Sequence, residues 1–188
     1  MPPNRDRPEP VGVPEAAVRL QWLADHHGAA YRMIPHAPEG RTREASALRG
    51  HDLAQGAKCL VVAARPTKRT CRYILAVVPG DRRVDLDRIG QLTGCRRTGF
   101  AGRDMAERLA GSVSGSIIPF SFHPDLELIV DEELLRHETL YFNAARLDLS
   151  MALPTADYLR MARPRTARIS APPADSTAEA AHSATAIS

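Results

Sequence analysis

Missing from this chain are the hallmarks of the familiar hydrolases and phosphate binders. No serine sits in a G-x-S-x-G turn, no H-E-x-x-H or other paired metal-ligand spacing occurs, and no G-x-x-x-x-G-K-[ST] loop is present. These absences remove a nucleophile-elbow serine, a helical zinc centre and a Walker-type nucleotide loop, and neither a metal nor another cofactor is expected. Cysteine is scarce: Cys59, Cys71 and Cys95 are odd in number and spaced 12 and 24 apart, which fits neither a C-x-x-C motif nor a disulfide framework. Reduced and mostly buried thiols are the expectation. No run of about 18 apolar residues offers a membrane span, so no membrane partner is expected. The opening MPPNRDRPEP has no apolar stretch of the kind a secretory signal needs, which makes the cytoplasm the expected compartment.

What is present is an ordinary globular composition. The 188 residues are 44% hydrophobic and 25% charged, enough to bury a core as one domain without staples. The net charge of +3 is mild but uneven. Arginines cluster at Arg41, Arg43 and Arg49, again around Arg65, Lys68, Arg69 and Arg72, and again at Arg82, Arg83, Arg88, Arg96, Arg97 and Arg103. Such clusters could meet phosphates or form a solvated basic surface.

Residues 1–12 hold four prolines among charges and are expected as a disordered arm; residues 169–188, almost all Ala, Ser, Thr and Pro, are expected as a disordered tail. Between them, 13–168 form the domain. Pro14 suits the first turn of a helix with Val18, Trp22 and Leu23 as its apolar face and Gly28 as its stop. AAYRMIPH reads as a short strand and TREASALRG as a helix closed by Gly50. The apolar runs 57–64 and 73–81 flank a basic turn and predict a hairpin of two largely buried strands. Asp85 caps a helix through Ile89 and Leu92, and GRDMAERLAG supplies another with Met105, Ala106 and Leu109 facing inward. LELIVD, the turn DEELLRH, TLYFNAA, SMALP and the helix TADYLRMAR follow. Strands and helices mix without regular βαβ alternation, so the expected class is α+β.

Two features could carry chemistry. Lys58 heads an apolar strand, where a lysine either snorkels to the surface or places an ammonium beside a phosphate or carbonyl. The stretch GSVSGSIIPFSFHP contains Gly115-Ser116-Ile117-Ile118-Pro119, a G-x-x-x-P spacing following Ser114. Gly111 and Gly115 permit close backbone approach while Pro119 stiffens the exit. The stretch is therefore either a plain connector or a fixed run of N–H groups able to stabilise an oxyanion. His36, His51, His123 and His137 could each act as a base but share no motif. Asn143, on an apolar strand, needs a partner if buried, whether backbone or ligand.

Taken together, Lys58 opening KCLVVAA, LAVVPGDRRVDLDRI, LAGSVSGSIIPFSF, LELIVDEELL and LYFNAARLDLSMALPTADYL resemble, in that order, the YbaK/EbsC family of aminoacyl-tRNA deacylases over about residues 15–165. The resemblance is closest to its YeaK-like branch, through IIPFSFHP, FNAARLD and TADYLRMARP. It implies a YbaK-like single domain with a mixed, mostly antiparallel sheet or partial barrel surrounded by helices, and metal-independent hydrolysis of the ester on mischarged tRNA. It further implies Lys58 and the Gly115–Pro119 backbone as the site, and with the residue reading above the expected site has Lys58 and Gly115 as catalytic residues and Ser114, Ser116, Ile117, Ile118, Pro119, Asn143 and His36 as substrate-binding ones. The implied partners are the acceptor end of aminoacyl-tRNA and an aminoacyl-tRNA synthetase, with no DNA. Asn143 departs from the histidine that some members, such as alanine-specific editors, place in this strand region.

An aminoacyl ester is already activated, so positioning, an oxyanion site and a water suffice, and the neighbouring ribose hydroxyl can assist proton transfer. The absent triads are then no objection. A small pocket selects by exclusion, which points to Ser, Thr or Ala as the amino acid. The alternatives are a non-catalytic module of the same fold that holds tRNA or a synthetase, and a small-molecule ester hydrolase indifferent to tRNA.

Overall fold

The computed structural model describes residues 14–67 and 69–172. Pro14, at φ −57°, leads into α1 (Glu15–His26). The chain continues through β1 (Arg32–Pro35) and α2 (Thr42–Arg49), then a capped 3-10 turn at Leu53–Gln55. The hairpin β2 (Ala57–Arg65) and β3 (Arg72–Pro79) follows, and then β4 (Arg83–Val84), α3 (Leu86–Thr93), β5 (Arg97–Phe100) and α4 (Arg103–Ala110). A long irregular stretch, 111–125, leads into β6 (Leu126–Asp131), β7 (Thr139–Arg146), β8 (Leu149–Pro154), α5 (Thr155–Ala162), β9 (Arg165–Ala167) and β10 (Ser170–Ala171).

The strands form a five-stranded sheet in the order β5-β2-β3-β6-β9, a three-stranded sheet β1-β8-β7, and a two-stranded ribbon β10-β4. Only β3·β6 and β6·β9 pair in parallel among the named strands; the other pairings are antiparallel, as expected. The sheets do not close into a barrel. A parallel bridge between Gly56 and Tyr141 joins the two larger ones.

The central hairpin is buried on both faces, which explains its continuous apolar run in place of an alternating pattern. Leu75 and Val77 of β3 point into a core shared with α1, α5, β7 and β8; Ile74, Ala76 and Val78 point the other way, onto Ile89 of α3 and Ile169. Strand β5 covers β2 only from Val62 to Arg65. The first five residues of β2, 57–61, therefore lie outside that pairing, and a cavity lies against the edge at Ala57, Lys58, Cys59 and Leu60.

Two expectations are corrected. The inner face of α1 is Ala16, Leu20 and Ala24, while Val18 and Trp22 are 44% and 62% exposed. Ala16 and Ala24, one on each side of Leu20 at i, i+4, i+8, let the helix axis approach the core closely, and this outweighs the larger apolar bodies on the other side. The fold also runs past 168. Ile169 is fully buried with its N–H donated to the carboxylate of Asp131 at 2.7 Å, and Ser170–Ala171 pair with Arg83–Val84. Residues 169–172 thus belong to the domain, and residues 173–188 lie outside the described residues, as does the expected arm at 1–12.

Candidate active site

The cavity at the open edge of β2 encloses about 230 Å³. Its floor is Ala57–Leu60 of β2 with Phe142 and Asn143 of β7. Its roof is the Gly40–Thr42 segment with Ala45 and Arg49 of α2, and its end wall is Gly115 and Ile117. Lys58, Gly115, Ile117 and Asn143, picked out from the sequence, thus share one cavity. Lys58 and Gly115 stand 57 positions apart in the chain.

Lys58 is half-buried, and its ammonium donates to the backbone carbonyls of Gly80, at 3.3 Å, and Arg82 in the turn after β3. Burial lowers its pKa from the ordinary lysine value; the charge of Asp81 opposes this, and Arg43 and Arg83 add to it. The side chain is a fixed, partly dehydrated positive charge on the floor of the cavity. Arg49 supplies a second. Its Nε donates to the Ala45 carbonyl at 3.0 Å and its Nη1 to Ser150 Oγ at 3.1 Å, and burial lowers its pKa to about 10. Cys59, also on the floor, is no thiolate, because burial pushes its thiol well above the usual range.

The glycine-rich stretch is shaped by its contacts with the Gly40 segment. Gly115 holds φ +89°, in the left-handed region, and a Cβ there would lie 2.7 Å from Gly40 Cα. Two backbones therefore touch where any side chain would separate them. Asn143 fastens them together: its Nδ2 donates to the carbonyls of Glu39 and Gly115, both at 2.8 Å. Its Oδ1 accepts from Ser150 Oγ at 3.0 Å, and that hydroxyl in turn accepts from Arg49 and sits 2.7 Å from His36 Nε2. Asn143 found backbone partners, and both of its N–H donors are used without a ligand.

The loop amides divide sharply. Ser114 N–H is taken by Glu107 Oε1 at 2.8 Å, and Ser116 N–H by the Val113 carbonyl at 2.9 Å. The N–H groups of Gly115 and Ile117, both on the wall, have no acceptor among the described residues. Two residues that line the cavity thus carry unoccupied backbone donors, the group type that binds a carbonyl oxygen.

Five expected substrate contacts are not on the cavity wall. Ser114 is exposed; Ser116 is buried with its hydroxyl donated to Val113 O at 3.0 Å; Ile118 is packed into the core. Pro119 is buried, and its carbonyl accepts from Tyr158 Oη at 2.8 Å, which ties the loop to α5. His36 stands behind Asn143, bonded through Ser150 and, at Nδ1, to the Ala37 carbonyl at 2.8 Å. Local backbone explains Ser114 and Ser116: the Ser116 N–H closes a turn onto Val113 O around Gly115, at φ +89°, which leaves Ser114 exposed and Ser116 turned inward onto Val113. His51 is also off the wall. Its ring stacks on Tyr141 with centroids 3.9 Å apart, and burial lowers its pKa to about 4.

Sequence reading missed Gly40, Arg49 as a wall residue, and Ser150. Nothing local marks Arg49 among so many arginines, or Ser150 on its strand. Gly40 carried one signal, a glycine two positions before a helix that starts at Thr42.

Residues 36–161 match the model of a family described as the aminoacyl-tRNA editing domain. The chain is 39% identical over 147 residues to the multifunctional Ser/Thr-tRNA deacylase ProXp-y of Escherichia coli K12, covering 78% of this chain and 87% of that protein. The protein of the same name from Escherichia coli O157:H7 matches with the same figures. In fold, the chain resembles the crystal structure of the protein APE2540 at 21% identity and a TM-score of 0.73, covering 81% of this chain and 99% of that one. It also resembles a candidate trans-editing enzyme for prolyl-tRNA synthetase, at 20% identity and a TM-score of 0.70, over 85% of this chain and 99% of that one.

Proposed function

The chain belongs to the aminoacyl-tRNA editing domain family, and from that premise we propose that it is a trans-editing deacylase. It hydrolyses the ester of tRNA mischarged with a small amino acid. The observation that carries this reading is the cavity itself, which brings Lys58, Arg49 and two unoccupied loop amides around a space of about 230 Å³. The likeness to a Ser/Thr-tRNA deacylase supports serine and threonine as its substrates ahead of alanine.

In this reading the aminoacyl carbonyl points at the N–H groups of Gly115 and Ile117. Water attacks the carbonyl carbon, the oxygen gains negative charge, and the amides stabilise it with no reorganisation because Asn143 already holds the loop. Lys58 and Arg49 lend positive charge to the acceptor end and to the developing oxyanion. No side chain in the cavity is set up as a nucleophile, so the proton of the attacking water is relayed, through solvent or through the vicinal ribose hydroxyl, to the ribose oxygen that leaves as the C–O bond of the ester breaks, giving the free amino acid and uncharged tRNA. Asn143 and, behind it, Ser150 and His36 are positioning residues. Side-chain selection falls to Thr42, Ala45, Ala57 and Cys59, small groups that leave room for a hydroxymethyl or hydroxyethyl side chain.

A panel of aminoacyl-tRNAs tests the reading. Ser-tRNA and Thr-tRNA should lose their amino acid faster than a buffer control while Leu-tRNA and Phe-tRNA do not. Salt-sensitive tRNA binding without turnover of any member would mean a binding module instead. Equal rates on a tRNA-free aminoacyl ester would mean a simple esterase.

A further inference from the structure

We propose that a second, basic concavity at the far end of β2 is the docking site for the phosphate backbone of the tRNA stem, an inference that rests on the deacylase reading. The concavity is lined by Arg65, Pro66, Thr67, Arg96 and Arg97 and encloses about 320 Å³. In the β2–β5 ladder Arg65 stands directly opposite Arg97, with Arg96 next to it in the chain. Like charges in register destabilise a strand pair, by up to about 1 kcal/mol at such positions. Among the described residues no carboxylate lies within 4.0 Å of any of the three.

That is unlike the treatment of other arginines nearby. Arg72, on the adjacent strand, is neutralised by Glu127 at 2.7 Å, and Arg165 by the same carboxylate at 3.3 Å. All three arginines of the concavity are exposed, so their guanidinium forks are accessible. A planar fork matches a phosphate with two parallel hydrogen bonds, and an anion between Arg65 and Arg97 converts their repulsion into attraction for a common partner.

Position selects a polyanion over a free anion. Arg65 lies seven residues beyond Lys58 on one strand, roughly 23 Å at ~3.3 Å per residue. A small anion at that distance has no part in an ester hydrolysis. A tRNA with its aminoacyl end at Lys58 does span it, because the chain of phosphates runs on from that end into an A-form stem longer than this distance. The concavity thus meets the stem, and the cavity meets the end.

The experiment compares the whole protein with the double variant Arg65→Gln/Arg97→Gln and with Arg136→Gln, a charge removal at an exposed arginine paired with Glu133 elsewhere on the surface. Uncharged tRNA binding is measured across a salt series, and deacylation of Ser-tRNA at saturating and limiting substrate. In the double variant KM should rise about tenfold with kcat unchanged, and the slope of log K against log salt should fall by about 1.4–1.8, the release expected for two phosphate contacts. Its melting temperature should equal or exceed that of the parent, since a like-charge pair has been removed. An aminoacylated terminal trinucleotide, too short to reach the concavity, should be cleaved equally by all three proteins. A double variant with parental KM and salt slope, or one no different from Arg136→Gln, overturns the proposal while leaving the deacylase reading intact. Binding of inorganic phosphate that tRNA does not displace also overturns it. A parent that binds tRNA through these arginines yet cleaves nothing overturns the deacylase reading and keeps the docking site.

Discussion

Gly115 and Asn143 do different work at one contact, and substitution separates them. At Gly115 the backbone holds φ +89° against Gly40, so Gly115→Ala adds a methyl 2.7 Å from a Cα with no flexible neighbour to yield. A left-handed L-residue costs about 1–2 kcal/mol before the clash is counted. Gly115→Ala should therefore lower kcat by at least about tenfold and the unfolding free energy by about 2–3 kcal/mol, read by single-turnover deacylation and urea titration. Asn143→Asp keeps shape and removes donation. It would face two carbonyls, Glu39 and Gly115, with a carboxylate, leaving buried acceptors unmatched at a cost of about 1–3 kcal/mol. The expected signature is a fall in kcat greater than any rise in KM, because the amides are displaced while the rest of the cavity persists. Parental kcat in Asn143→Asp would show that the loop holds itself.

At the scale of elements, the segment joining α2 to β2 carries a pH dependence of its own. His51 follows Gly50 and stacks on Tyr141 of β7, with a pKa lowered to about 4 by burial. In the unfolded chain an ordinary histidine protonates near 6.5, so below that pH the unfolded state binds a proton that the folded state refuses. This contribution to stability is full above about pH 6.5 and declines as the pH falls toward 4. The melting temperature should therefore drop across that window, and His51→Phe, which keeps the stack without a titrating ring, should flatten the drop. An unchanged pH profile in His51→Phe would assign the acid sensitivity to other groups. The same scale shows what the sequence made legible. The strands β2, β3, β6, β7 and β8 and the helices were readable because burial on both faces or one stripe imprints continuous or periodic apolar runs. The two-to-four-residue strands β4, β5, β9 and β10 left no such imprint: Arg97–Phe100 and Arg165–Ala167 become strands only because a neighbour offers a free ladder edge. The tail boundary slipped for a related reason, since one buried Ile169 anchored by Asp131 outweighs a composition that reads as disorder. Within the site, Lys58, Gly115 and Asn143 were legible from their residue types in their surroundings, and Ile117 through the family resemblance. Arg49 and Ser150 were not, because their roles come from contacts more than a hundred residues apart in the chain.

For the whole molecule, the two concavities lie at opposite ends of one strand. β2 begins at a small cavity with partly dehydrated charge and ends at an exposed arginine cluster, so a single rigid element fixes the spacing between an ester and a stem. Among the described residues no helix is long and apolar enough to cross a membrane. The account depends most on the cavity being where the ester is broken, and on Lys58 as a fixed charge within it. The most direct measurement is single-turnover deacylation of Ser-tRNA by the parent and by Lys58→Ala, with tRNA binding measured on the same samples. The account predicts rapid loss of serine with the parent and a rate reduced by about a hundredfold in Lys58→Ala, in line with about 2.7 kcal/mol of lost transition-state stabilisation, while stem binding is retained. Equal rates for the two proteins, with tRNA bound by both, would contradict it.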